Sequence, residues 1–157
     1  MDKDIANKLF EYRDGGLYWK VRVGMKTKMD KPVSCLDKDG YKLVRYQGKN
    51  YRVHRIIFLM HHGYLPKMVD HIDGNPANNE ISNLRAANNQ TNQYNQRLSK
   101  RNTSGIKGVS FHKGAWEVRV RVNRVLKYFG RFNDLEFASL LADEVRNKYH
   151  KEFACHG

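Results

Sequence analysis

The chain has 157 residues, which is enough for one ordinary domain or two small domains with modest hydrophobic cores. Its formal net charge of +13 indicates a polyanionic partner, because so many like charges repel one another unless nucleic acid neutralises them. The two cysteines, Cys35 and Cys155, exclude a disulfide framework and a structural zinc site. The longest apolar run, Ile56 to Met60, is too short to span a membrane, and the acidic N terminus differs from a secretory signal, so we expect a cytoplasmic protein.

The first part of the chain is predicted to be rich in short strands. Three segments with β-branched and aromatic residues, separated by glycines, indicate an antiparallel meander: "GGLYWKVRV", "GYKLVRY" and "KNYRVHR". The segment "HRIIFLMHHG" follows and is typical of a short helix that ends at Gly63. Further along, a polar and basic stretch from Gln96 to Gly105 predicts a linker.

The part after this linker is predicted to form a three-stranded antiparallel sheet packed on one helix. Apolar residues alternate with polar ones in "AWEVRVRVN", which gives a strand with one apolar face and one mostly cationic face. "VLKYFGRF" completes a hairpin with it, and "KGVSFH" supplies a third strand. Asp134 is predicted to cap a helix over "LEFASLLADEVRNKYH". We expect four aromatic residues to fill the core beneath the sheet: Trp116, Phe129, Phe132 and Phe137.

An asparagine-rich stretch from Val69 to Asn95 lies between these two regions. It contains eight asparagines, two aspartates and one histidine, a composition that also suits a solvated loop. If its beginning forms a hairpin that folds against a following helix, Asp70 and Asn92 present two oxygen ligands to one cation, with His71 beside them. Oxygen ligands favour a hard ion such as Mg²⁺, with Mn²⁺ as an alternative, and a cation next to a histidine can hydrolyse a phosphodiester.

These residues also carry a resemblance to a known family. "VHR" at Val53 to Arg55, "VDHIDGNPANN" and "NLRAANNQTNQYN" resemble the HNH endonucleases found as free-standing and intron-encoded homing enzymes of phages. The resemblance implies a ββα-metal finger over about residues 66–97, within a nuclease domain at 1–98. It implies His71 as general base, Asp70 and Asn92 as metal ligands, and Asn83 as the residue that ties the loop together and orients the histidine. The three letters of the family name stand for His, Asn and His, and this chain has Asn92 at the position of the last histidine.

The histidine–arginine pair at the start of the short helix permits two interpretations. His54 suits a hydrogen-bonded packing residue, and Arg55 suits a contact with a DNA phosphate.

The segment from Ser104 to Ala154 resembles a second family, the ethylene-response-factor DNA-binding domain of plants, which is APETALA-like. The resemblance assigns residues 99–157 to a domain whose sheet lies in the major groove. The DNA-facing side chains that it implies are Lys107, Ser110, Arg119, Arg121 and Tyr128. Either arginine could pair with guanine. Because Ser110 and Leu126 stand where plant members often have arginine, the target sequence does not transfer.

Taken together, these features predict an α+β, metal-dependent, strand-nicking DNA endonuclease that acts as a monomer on double-stranded DNA. The alternative from another class is a non-catalytic, sequence-specific DNA-binding regulator with a degenerate HNH site. A third interpretation, an RNA-binding or RNA-cleaving protein, lacks the exposed aromatic platform that single-stranded RNA usually needs.

Overall fold

The structure is a computed structural model that describes residues 1–96, 98, 99 and 101–156. It contains helices and small antiparallel sheets, so the predicted α+β composition is confirmed. The chain divides into two compact units, Met1–Ala87 and Asn88–Gly157. This division falls before the predicted domain boundary at Leu98, because the asparagine-rich helix belongs to the second unit. Two residues of the predicted linker, Arg97 and Lys100, lie outside the described residues.

The first unit combines two helices with three small sheets. Its helices are α1 (Lys3–Leu9) and α2 (Val53–His62). Its strands are β1 (Phe10–Arg13), β2 (Gly16–Trp19), β3 (Cys35–Leu36), β4 (Lys42–Tyr46), β5 (Lys49–Arg52), β6 (Met68–His71) and β7 (Leu84–Ala87). They pair as β1–β2, β3–β4–β5 and β6–β7, so the expected single meander is instead divided among separate sheets. Helix α1 and strand β1 were not predicted from the sequence.

Helix α2 forms the centre of the first unit's core. Its apolar side is buried against α1, β4 and β6, with Ile57 fully enclosed and Phe58 only 2% exposed. The helix ends as predicted at Gly63, whose φ of 78° lies in the left-handed region that glycine adopts without strain. His54 lies on the buried side of this helix and is 3% exposed, so it belongs to the interior.

The second unit contains the predicted three strands and helix, preceded by a short helix. Its elements are α3 (Asn89–Tyr94), β8 (Val109–His112), β9 (Ala115–Val122), β10 (Val125–Phe132) and α4 (Leu135–His150). The strands pair antiparallel in the order β10–β9–β8. The β9–β10 turn is formed by Asn123 and Arg124, both with positive φ, as a two-residue hairpin turn requires.

The core of the second unit lies between this sheet and α4. The predicted alternation along β9 is confirmed, since Val118, Val120 and Val122 are buried while Arg119 and Arg121 are exposed. The buried residues of α4 that meet them are Ala138, Ala142 and Val145. Trp116, Phe129 and Phe132 pack partly buried against this cluster. The expectation for Phe137 was wrong: its side chain is 57% exposed, and its ring lies 5.1 Å from that of Phe132.

Candidate active site

The site begins at the C-terminal end of β6, where Asp70 and His71 are consecutive residues. Antiparallel pairing with β7 places Asp70 opposite Arg85 and His71 opposite Leu84. Although both residues are polar, Asp70 is 7% exposed and His71 is 4% exposed. Buried ionisable side chains require partners, and the surrounding residues supply one for each of them.

The partner of the His71 ring is Asn79. The Nε2 atom of His71 donates a hydrogen bond to Oδ1 of Asn79 over 3.0 Å, and Asn79 is only 2% exposed. A neutral imidazole with its proton on Nε2 carries its lone pair on Nδ1. This contact therefore selects the tautomer in which Nδ1 is the basic nitrogen. Asn79 was not among the residues predicted from the sequence, where nothing but its place in the Asn78–Asn79 pair marks it.

The partner of Asp70 is Arg85. Arg85 Nε donates to Asp70 Oδ2 at 3.0 Å, and Nη2 lies 3.0 Å from the same oxygen. The side chain of Arg85 is 14% exposed, so this ion pair is largely shielded from water. Both contacts fall on Oδ2, and neither engages Oδ1. Arg85 was not among the predicted residues, because its pairing with Asp70 depends on the β6–β7 register.

The side chain of Asn83 is hydrogen-bonded within the loop, where its partners are Asp73 and the backbone of Asn78, while its predicted role of orienting the histidine stays a prediction. The side chain of Asn83 accepts from Asp73 N and donates both to Asp73 Oδ1 and to the carbonyl oxygen of Asn78. Asn75 N and Asn78 Nδ2 also donate to this carboxylate. Burial raises the pKa of Asp73, but these hydrogen bonds outweigh it and leave the pKa below its usual value. Several of the asparagines thus form a hydrogen-bonded loop around one carboxylate.

His54 forms the inner wall of the site. Its ring lies edge-on to His71, with 4.8 Å between the ring centroids, and Tyr41 lies against both rings at 5.2 and 5.8 Å. Burial, followed by the charges of His71, Arg52 and Arg55, lowers the pKa of His54 to about 3. His54 is therefore neutral at ordinary pH. Its Nδ1 atom is buried and makes no hydrogen bond within the described part of the chain.

The remaining residue of the predicted finger, Asn92, lies on α3 in the second unit and is partly buried. This helix is fixed within its own unit by Tyr94. The Tyr94 ring stacks on His150 with 3.7 Å between centroids and an interplanar angle of 8°. Its hydroxyl accepts from Asn123 N over 3.0 Å. The position of Asn92 is thus set by contacts with the β9–β10 turn and the end of α4.

Four of the five expected DNA-facing residues lie exposed on strands of the second unit. Ser110, Arg119, Arg121 and Tyr128 are accessible, and pairing between β9 and β10 places Tyr128 opposite Arg119. Glu117 holds the Arg119 guanidinium at 2.7 Å. Lys107 differs, because its ammonium group donates to the carbonyl oxygens of Tyr94 and Gln96. Burial lowers the pKa of Lys107, consistent with this partly enclosed position.

Arg55, the remaining predicted DNA contact, is engaged within the first unit. Its guanidinium donates to the carbonyl oxygens of Pro66 and Lys67 over 3.2 and 3.3 Å. These bonds connect α2 to the segment that leads into β6. A contact between Arg55 and a DNA phosphate stays a prediction.

The donor atoms suit a hard divalent cation held by few protein ligands. No cluster of three or more His, Cys, Asp or Glu residues suited to a metal occurs among the described residues. Asp70 and Asn92 both offer oxygen, and Asp70 retains Oδ1 beside the oxygen that Arg85 occupies. Magnesium typically binds through one or two carboxylates and completes its coordination with water and phosphate. Asp70 therefore suits such an ion as one oxygen ligand, and the contribution of Asn92 stays a prediction.

Comparisons with known proteins identify one family and two viral relatives that this chain resembles. Residues 51–94 match the HNH endonuclease family, a range that contains α2, the β6–β7 hairpin and α3. The chain is 44% identical over 96 residues to Protein 3.8 of Escherichia phage T7, covering 59% of this chain and 78% of that protein. It is 41% identical over 78 residues to an uncharacterized HNH endonuclease of Acanthamoeba polyphaga mimivirus, covering 48% of this chain and 41% of that protein. No solved structure matches the chain.

The matched range, which includes the β6–β7 hairpin and its buried histidine, is an HNH endonuclease domain. The chain carries an HNH endonuclease domain and is a DNA-cleaving enzyme, so the alternative of a non-catalytic regulator is not supported. Enzymes of this family generally use a divalent metal. No helix within the described residues is long and apolar enough to cross a membrane.

Proposed function

We propose that this protein is a metal-dependent DNA endonuclease that nicks one strand at sites selected by its second unit. The observation that carries the proposal is the buried Asp70–His71 pair, in which Asn79 and Arg85 hold the two side chains. A hydrolytic nuclease needs a base for the attacking water, and His71 is a buried imidazole that directly follows Asp70 at the end of β6. A monomer with one such site cuts one strand in each encounter.

In this mechanism His71 acts as the general base. Its Nδ1 atom takes a proton from water as the water oxygen attacks phosphorus, and the bond from phosphorus to the leaving oxygen breaks. Asn79 keeps the other ring proton on Nε2, and His54 limits rotation of the ring from the buried side. Because His54 is neutral, it adds no charge that would oppose protonation of His71 during the reaction.

Asp70 and Asn92 are proposed to hold the metal, as the family resemblance implies. When bound, a divalent cation such as Mg²⁺ would stabilise negative charge on the phosphate and on the leaving oxygen. The role proposed for Arg85 is to neutralise the buried Asp70 carboxylate and to keep its orientation through Oδ2. Removal of one partner from a buried ion pair is strongly destabilising, which supports this structural role.

Site selection is proposed to come from the exposed face of the β8–β9–β10 sheet. Ser110, Arg119, Arg121 and Tyr128 lie on this sheet, and a two-dimensional array of polar side chains can read base edges in a major groove. The support is the exposure of these residues together with their resemblance to the ethylene-response-factor domain. Lys107, by contrast, is proposed to anchor α3 through the carbonyl oxygens of its last turn.

The test is conversion of supercoiled plasmid to the open circle by the pure protein. We expect nicking with Mg²⁺ and none after EDTA is added. Accumulation of the linear form without the open circle would contradict nicking, and cleavage unaffected by EDTA would contradict metal dependence. Substitution of His71 by alanine controls for a contaminating nuclease.

A further inference from the structure

The first unit carries a long basic loop that neither the family match nor the proposed mechanism uses. Residues 20–34 connect β2 to β3 without forming a helix or strand, and they contain five basic residues and one acidic residue, Asp30. The loop is fixed at both ends, because Lys20 N donates to Leu9 O and Val33 N donates to Leu17 O, each over 2.8 Å. Long loops without secondary structure are uncommon in compact domains and usually have a function.

This loop borders a cleft of about 340 Å³, closed on the other side by β4. Three loop cations, Lys26, Lys28 and Lys31, line the cleft together with Arg45 of β4. All four side chains are exposed, and none of them forms an ion pair with any residue that the structure describes. Concave surfaces lined by one sign of charge focus the electrostatic potential and attract a ligand of the opposite sign.

We propose that this loop cleft binds the phosphate backbone of duplex DNA as a contact surface of the nuclease unit itself. The inference rests on the proposed function only in taking DNA as the bound polymer, and it does not depend on cleavage. Lysine is a flexible point charge that suits a phosphate and does not read a base in a fixed plane. The cleft should therefore contribute affinity that is independent of sequence, whereas the sheet of the second unit contributes discrimination.

The test compares two triple variants of the full chain that lose the same charge. The first carries Lys26→Ala, Lys28→Ala and Lys31→Ala. The control carries Lys8→Ala, Lys38→Ala and Lys49→Ala, which are exposed residues elsewhere on the first unit. Binding to a duplex of arbitrary sequence is measured across a salt titration in Ca²⁺, where no cleavage is needed. Each phosphate contact contributes about 0.9 to the slope of log affinity against log salt.

We expect the magnitude of the slope of log affinity against log salt to decrease by roughly 1 to 3 in the cleft variant, because each lysine makes at most one phosphate contact. The control variant should keep the parental slope. Equal losses in both variants would overturn the proposal, because net charge alone would then explain them. An unchanged slope in the cleft variant would also overturn it. If the parent binds single-stranded RNA and does not bind duplex DNA, the proposal is wrong, because the cleft then binds another polymer.

A second measurement avoids substitutions altogether. Lysine acetylation of the parent is compared with and without duplex DNA, and the modified residues are identified by mass spectrometry. Bound DNA should reduce the acetylation of Lys26, Lys28 and Lys31 severalfold more than that of Lys38 and Lys49. Equal reduction at all five lysines would overturn the proposal. A parent that binds in this way but never nicks plasmid would refute the proposed cleavage and leave the cleft assignment intact.

Discussion

The Nε2 atom of His71 lies 3.0 Å from Oδ1 of Asn79, and both side chains are almost completely buried. Asn79 reaches this position from the asparagine-rich loop, whereas His71 stands at the end of β6. A base whose second nitrogen is held in this way has a defined tautomer and a defined ring orientation. In the proposed mechanism this contact makes Asn79 a positioning residue for the base.

Replacement of Asn79 by leucine tests this role. Leucine has a similar size but accepts no hydrogen bond, so the ring of His71 can rotate and change tautomer. We expect the single-turnover nicking rate to fall by about 10- to 100-fold, which is the range seen when orienting partners are lost. The affinity for DNA in Ca²⁺ and the metal concentration at half-maximal rate should stay within twofold of the parent.

Asn79→Asp separates positioning from folding in the same experiment. It restores an acceptor for Nε2–H, and its negative charge favours the protonated imidazole. The variant should regain most of the rate at high pH, with the acidic limb of its pH–rate profile moved to higher pH. An Asn79→Leu enzyme that nicks at the parental rate would show that the hydrogen bond has no part in catalysis.

The buried imidazole of His54 predicts a dependence of stability on pH. In the folded chain the pKa of His54 is lowered to about 3, whereas an unfolded histidine binds its proton near pH 6.5. Between these values the unfolded state holds more protons, so the free energy of unfolding falls as pH decreases. His54→Phe should weaken this fall, by at most about 1.4 kcal/mol per pH unit. Urea unfolding from pH 7 to 4 measures it.

The control for His54 is another histidine of the same helix. His62 is exposed, so His62→Phe should leave the slope of stability against pH close to that of the parent. If His54→Phe has the same acid sensitivity as the parent, the buried histidine is already protonated in the folded state and its neutral role in the site is wrong.

The sequence predicted some elements of this protein much better than others, and the reason is physical. Along β9, apolar residues such as Val118 alternate with polar residues such as Arg119, and this pattern is typical of a strand with one buried face. Gly63 predicts a helix end because glycine adopts the left-handed φ of a C-cap without strain. Local pattern could not distinguish Asn79 from its many neighbouring asparagines, because the fold alone decides which amide becomes buried. Arg85 was missed for a similar reason, since its pairing with Asp70 depends on the register of two short strands.

Tyr94 carries a prediction about how the chain can be divided. Its stacking on His150 and its hydrogen bond with Asn123 hold α3 within the second unit. A helix of six residues is unstable alone, so a fragment ending at Leu98 would lack the contacts that order α3. We therefore expect this fragment to lose metal-dependent nicking, even though it contains every residue assigned to the finger.

Two substitutions of Tyr94 in the full chain remove its contacts within the second unit to different extents. Tyr94→Phe keeps the stacking and loses the two hydrogen bonds that the hydroxyl accepts from Asn123 N and Gln90 Nε2, which should cost about 1 kcal/mol each in the free energy of unfolding. Tyr94→Ala loses both and should cost about 3 kcal/mol or more. The metal concentration at half-maximal nicking should rise in the same order. A fragment of residues 1–98 that nicks like the full chain would contradict this prediction.

Arg119 provides a prediction about site selection. Its guanidinium is exposed on β9 and held by Glu117, so it is ordered before any DNA is bound. If it pairs with guanine, Arg119→Ala should relax discrimination at one base pair by roughly 1 to 3 kcal/mol. Cleavage of a randomised target library, analysed by sequencing, measures this change. An equal loss on all sequences would mean that Arg119 contacts only phosphate.

A metal titration can distinguish the proposed base, His71, from the proposed metal ligands, Asp70 and Asn92. His71→Ala removes the proposed base and keeps both proposed ligands, so nicking should slow by roughly 10² to 10⁴ while DNA binding in Ca²⁺ is unchanged. Asp70→Ala and Asn92→Ala weaken the site for the ion instead. Part of their activity should return at high Mg²⁺ or with Mn²⁺, whereas no concentration of metal should rescue His71→Ala.

Asp70→Ala also leaves the buried guanidinium of Arg85 without its carboxylate, which could unfold the hairpin and imitate loss of metal. Asp70→Asn keeps an oxygen next to Arg85 and lowers only the charge, so it provides the matched control. Its nicking rate across a metal titration should lie between those of the parent and Asp70→Ala, with a higher half-saturating concentration than the parent. If His71→Ala cuts at the parental rate, another group is the base and the assignment of this site is wrong.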